Sequence, residues 1–163
     1  MKKLVVVTLL ILSKLSLFAQ NEIVGKWLSQ DKEAVIEIYE KQGKYFGKFA
    51  WLKKATDAKG QPATDTENPN AALRKQPLIG MVMLSNMYFE NKKWKGGTVY
   101  DPDSGKSYKC EMWQKSPQTL NIRGFLGLFY GTETWTIVKW LYTNLSEFYE
   151  LHEFLFTQKS CNS

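Results

Sequence analysis

The stretch Lys93-Trp-Lys-Gly-Gly-Thr-Val-Tyr-Asp-Pro-Asp-Ser-Gly-Lys-Ser-Tyr-Lys-Cys-Glu-Met-Trp-Gln114 decides the fold. Two runs of strand-forming residues flank Asp101-Pro-Asp-Ser-Gly105. In that turn Pro102 presets φ and Gly105 can take the left-handed conformation. Beyond it, Tyr108, Cys110 and Met112 alternate with Lys109 and Glu111, the period of a strand with one buried and one wet face. The stretch reads as a β-hairpin.

The same pattern extends in both directions. Ala34, Ile36 and Ile38 lie opposite Glu33 and Glu37, and Gly43 sits in a second hairpin turn, Lys41-Gln-Gly-Lys44. Strands are expected at 23–29, 33–40, 44–53, 78–89, 93–101, 106–114, 118–124 and 132–139, all rich in β-branched and aromatic residues. All five prolines fall outside these interiors, as ladders require. Eight sequential antiparallel strands predict an all-β, up-and-down barrel, just wide enough for packed side chains or one small ligand. An open two-layer sandwich is the competing reading. Residues 54–77 form a 24-residue polar connection, a length usually reserved for function. In the tail, 140–163, Leu141, Leu145, Phe148, Leu151 and Leu155 recur at helical spacing, predicting a helix.

At the other end, Lys2 and Lys3 precede the apolar run Leu4-Val-Val-Val-Thr-Leu-Leu-Ile-Leu12, and Ala19 offers a small residue for cleavage. The run is too short to span a bilayer. It predicts a signal peptide over 1–19, export to the periplasm or beyond, and one domain over 20–139. The full chain has 163 residues and a formal charge of +6. Removing the leader takes away three lysines and no acid, leaving nineteen bases against sixteen acids. That balance gives no reason to expect a nucleic-acid partner.

From 23 to about 138 the chain resembles the DUF2147 family of small exported bacterial proteins. The resemblance rests on Ile23-Val-Gly-Lys-Trp27, Ala34-Val-Ile-Glu-Ile-Tyr39, Asp65-Thr-Glu-Asn-Pro69, Tyr100-Asp-Pro102, Arg123-Gly124 and Gly131-Thr-Glu-Thr-Trp-Thr136. It implies a lipocalin-like barrel, and Gly25-x-Trp27 is similar to the Gly-x-Trp signature of lipocalins. Relatives often carry a cysteine pair near 40–47 and an arginine after the last Trp-Thr; this chain has neither, placing Ile137 after Thr136. Asp65, Asn68 and Arg74 match the family pattern within the long connection. An Asp65–Arg74 bond would order it, either as a lid over the barrel mouth or as a pinned crossover.

Catalytic chemistry is hard to assemble. His152 is the single histidine and has Glu150 and Glu153 as neighbours, which suits a solvated face better than a base. HExxH, GxSxG, GxGxxG and CxxC motifs are absent, and no cofactor is implied. Glu37 and Asp101 could pair as carboxylates, the basis of a hydrolase reading that ranks last. Asp101-x-Asp103-x-Gly105 resembles the start of a calcium loop, but Met112 occupies the position of the closing glutamate, so a turn explains it better than a metal. Cys110 and Cys161 read as two free thiols, with a bridge as the alternative.

The aromatic and methionine content carries the functional expectation. Trp27, Glu37, Trp51, Met83, Trp94, Tyr100, Tyr108 and Met112 are the candidate ligand-binding residues of a barrel that holds a small apolar or lipid-like molecule without turnover. Tyr45, Met81 and Trp135 belong to the same apolar set. Against this stands a filled barrel serving as a cell-envelope interaction module. Phe125-Leu-Gly-Leu-Phe-Tyr-Gly131 offers that module, or a membrane surface, an apolar contact.

Overall fold

A computed structural model describes residues 23–138. The expected leader, the tail where a helix is expected, His152 and Cys161 lie outside the described residues. Among those described, eight strands form a closed antiparallel barrel in chain order. They are β1 (Gly25–Leu28), β2 (Ala34–Lys41), β3 (Lys44–Leu52), β4 (Val82–Glu90), β5 (Lys93–Asp101), β6 (Lys106–Ser116), β7 (Thr119–Leu126) and β8 (Phe129–Ile137). The barrel shuts where β1 meets β8, with Trp27 opposite Ile137 and Leu28 opposite Thr136. The expected barrel is therefore present and the open sandwich is not.

Turn chemistry sets the register. Gln42 and Gly43, and again Asn91 and Lys92, take positive φ as consecutive pairs, the twist that two-residue hairpins need. Gly97 serves close packing instead. A Cβ there would stand 2.1 Å from the Ser85 carbonyl oxygen and 2.4 Å from Met87 Sδ. Only glycine lets β5 approach β4 so closely, at a point where its pairing with β6 also slips.

A second irregularity matters more for the interior. Ile36 pairs with Phe49, but Val35 pairs with Trp51, so Ala50 is skipped. This bulge reverses the facing of β3 beyond Phe49. Phe49 points inward, Trp51 does not, and Leu52 does.

One half of the interior is solid. Ile23, Trp27, Ile38, Tyr45, Leu84, Met87, Trp94, Met112 and Leu120 are fully buried or nearly so. Trp27 donates its indole N–H to the Ile23 carbonyl at 2.8 Å, which draws the entering chain across this end. Tyr45 meets Trp94 edge to face at 6.1 Å, and Phe89 tilts onto Trp94 at 4.7 Å, separations typical of favourable aromatic pairs. Ile137 lies beside Trp27 across the β1–β8 seam.

Candidate ligand-binding cavity

Toward the other end the interior empties. The hairpin loops β1–β2, β5–β6 and β7–β8 all lie here, around a cavity of ≈ 790 Å³. That volume falls within the range of small-molecule sites, about 300–1,000 Å³. Its apolar wall includes Ile36, Phe49, Met83, Val99, Ile122 and Trp135.

The space exists because particular inward positions carry almost no side chain. Gly124 on β7 pairs with Gly131 on β8, and both line the cavity. Ala34 supplies a third short position on β2. The large residues of the same strand faces, Trp27, Trp94 and Met112, fall one or more turns of the pleat further down. Bulk at one level and glycine at another leave a cup.

The rim is acidic. Asp31, Glu33, Asp101, Asp103 and Glu133 line the mouth, with Lys54 as the basic residue among them. Several of these carboxylates already hold partners. Asp31 accepts from Ser29 Oγ at 2.5 Å and from the Glu33 backbone N–H at 3.0 Å. Glu33 meets Lys53 at 2.5 Å. Asp101 accepts from the Asp103 N–H and from Ser104 Oγ, which accounts for Asp101-x-Asp103 as a turn. Glu133 accepts the Trp135 indole N–H at 3.1 Å, fixing that ring in the wall.

Beside the mouth, the long connection is clamped to β5. Asp65 is wholly buried. It accepts from the Tyr100 hydroxyl at 2.8 Å and from Asn68 Nδ2 at 2.6 Å. Arg74 does not supply the expected bond to Asp65; its Nε donates instead to the Asn68 carbonyl at 2.8 Å. Asn68 is thus the link between them. Gly105 fits under the same segment, since a Cβ there would lie 2.0 Å from the Glu67 carbonyl oxygen. The connection contributes Lys54 and Leu78 to the cavity wall. The Asp65–Tyr100 bond pins it beside the opening. Desolvation, then the bond to Asp65 and its charge, push the Tyr100 hydroxyl up to about 12.

The candidate residues therefore divide three ways. Met83, Tyr100 and Tyr108 line the hollow. Trp27, Trp94 and Met112 plug its floor or lie beneath it. Glu37 and Trp51 stand on the outer wall, so neither touches the hollow. Glu37 faces out by the alternation of β2 and lies 3.4 Å from Lys48, far from the mouth hairpin that carries Asp101. Trp51 is turned out by the bulge. Gly124, Gly131, Phe49 and Glu133 join the site only through the structure, although inward glycines in a strand are a readable sign of close approach. Cys110 is buried against Met87 Sδ at 3.5 Å, and desolvation pushes its thiol up to about 12.

Two comparisons bear on this geometry. The model of a family described as an uncharacterised protein conserved in bacteria, DUF2147, matches residues 25–137. The chain belongs to the DUF2147 family. Among solved structures, this DUF2147 member is similar to protein HP1028 from Helicobacter pylori, described as belonging to the lipocalin family. The two are 26% identical with a TM-score of 0.62, over 72% of this chain and 83% of that one. No curated protein sequence matches the chain. The DUF2147 barrel thus shares its fold with a protein described as a lipocalin.

Proposed function

We propose that this protein is exported and that its barrel carries one small apolar or lipid-like molecule without chemically altering it. The observation that carries the reading is the ≈ 790 Å³ hollow, apolar in its wall and open at one end. Below it the barrel is packed solid, so a guest enters and leaves by one route. Asp31, Glu33, Asp101 and Glu133 at the rim are tied to turn residues, a lysine and an indole, which favours a shaping role over proton transfer. Export is supported by the basic, then apolar, then small-residue order of 1–19. The alternative, an envelope module with a filled barrel, requires an interior without room for a guest, and the hollow weighs against it.

Titration with the neutral apolar fluorophore N-phenylnaphthylamine tests the reading. Saturable enhancement at one dye per chain is expected. Enhancement that never saturates, or none at all, would remove the carrier reading.

A further inference from the structure

We propose that the tip of the β7–β8 hairpin inserts into a lipid bilayer and that the hollow opens beside that membrane. The tip turns at Gly127, where φ is +62°, and Phe125 pairs with Tyr130 and Leu126 with Phe129. Alternation places Phe125 and Tyr130 on the outer face, Leu126 and Phe129 on the inner face, and Leu128 at the apex. Leu126 is 62% exposed, Leu128 99%, Phe129 78% and Tyr130 63%. An ordinary edge of a barrel is apolar on one face only. Here both faces and the apex are apolar, so a flat protein surface could cover one side and leave the other wet. A hydrocarbon phase surrounds both, while the ladder keeps the backbone groups bonded to each other up to the turn.

The charges beneath the tip point the same way. Lys109 stands opposite Phe125 on the outer face. The Arg123 guanidinium lies 4.4 Å from the Tyr130 ring centroid and donates to Thr132, with Glu111 3.6 Å away. On the outer face the order from the apex downward is aliphatic, aromatic, then cationic, while the acids of the mouth, Asp101, Asp103 and Glu133, lie on the inner side of the hairpin. A leaflet presents hydrocarbon, interface and anionic headgroups in the same order. Leu126 and Gly131 also belong to the cavity wall, so an apolar guest could pass between acyl chains and barrel without crossing water. That passage rests on the carrier reading; the insertion itself does not.

The test uses Leu128→Cys in a Cys161→Ser background, labelled with the polarity-sensitive fluorophore NBD. Cys110 is buried and stays unlabelled. Phosphatidylcholine vesicles, with and without phosphatidylglycerol, should shift the emission to the blue and raise it several-fold, more strongly with phosphatidylglycerol. Adding Phe129→Ser should weaken vesicle affinity at least tenfold while dye binding in the cavity is unchanged. An unshifted label with both vesicle types, or equal affinity after Phe129→Ser, would overturn the proposal. So would a spectral shift that follows protein concentration in place of lipid, since a second copy of the chain would then cover the hairpin. Either failure with dye binding intact leaves the carrier reading standing; loss of dye binding alone leaves the insertion standing.

Discussion

Gly124 and Gly131 face each other across β7 and β8, both directed into the barrel at the level where its interior is empty. A β-carbon at Gly131 would meet nothing within 4 Å, and one at Gly124 would sit at ordinary contact, 3.9 Å, from Tyr108 and Val99. Neither glycine is needed for its backbone conformation. What the pair provides is volume, and the functional reading depends on that volume.

Filling it should separate binding from folding. Gly131→Leu is expected to keep the barrel intact by circular dichroism and to preserve its melting temperature or raise it slightly. The same change should weaken N-phenylnaphthylamine at least tenfold, a loss of about 1.4 kcal/mol. Unchanged dye affinity in a folded Gly131→Leu protein would mean that the dye binds elsewhere.

The floor and the wall should respond differently. Met112 is fully buried in the solid half, so Met112→Ala should destabilise the protein by about 2–5 kcal/mol in urea unfolding. Met83 borders existing space and is already short of neighbours on that side. Met83→Ala should cost less, about 1–2 kcal/mol, and should alter which guest lengths bind. Equal losses at the two positions would contradict a barrel half filled and half hollow.

The clamp at Asp65 predicts an alkaline limit. The Tyr100 hydroxyl is raised from 10.0 to about 12 and the Cys110 thiol from 9.0 to about 12. Both groups are neutral when protonated, so the fold binds these protons more tightly than the unfolded chain does. Their stabilisation is complete below the unfolded values and is lost as pH rises from about 9 through 12. Tyr100→Phe should flatten the part that begins near pH 10 and leave the part due to Cys110. It should also cost about 1–3 kcal/mol at neutral pH, because buried Asp65 loses a donor. Urea midpoints measured across this pH range check both expectations.

If the hollow holds a guest, the acidic rim should sort guests by headgroup. Asp31, Glu33, Asp101, Asp103 and Glu133 outweigh Lys54 at the mouth. Dodecyltrimethylammonium should therefore displace the dye at lower concentration than dodecyl sulfate, by several-fold at low salt. Asp103→Asn should narrow the gap, as should added salt. A preference for the sulfate would show that the rim does not govern selection.

The strands are legible in the sequence because their alternation is local: Ala34, Ile36 and Ile38, or Tyr108, Cys110 and Met112, state their facing within a few residues. The last hairpin runs longer than expected, with β7 reaching Leu126 and β8 beginning at Phe129, because uniform apolarity there conceals the period of two. Trp51 escapes sequence reasoning for a related reason. A bulge skips Ala50, and nothing in Phe49-Ala-Trp51 announces it. Glu37 is different, since its own alternation with Ile36 and Ile38 already turns it outward. Whether the interior is hollow depends on the height at which each inward residue lies along the axis. Strand stagger sets that height, and composition does not encode it. The Asp65–Tyr100 bond spans 35 residues and likewise needs the closed barrel before it can be seen.

Native mass spectrometry of the protein purified from its source separates a carrier from a solid barrel. One additional species per chain is expected, small enough for a ≈ 790 Å³ hollow, released by excess N-phenylnaphthylamine and absent from Gly131→Leu. A chain that carries no added mass and takes up no dye would contradict the carrier reading.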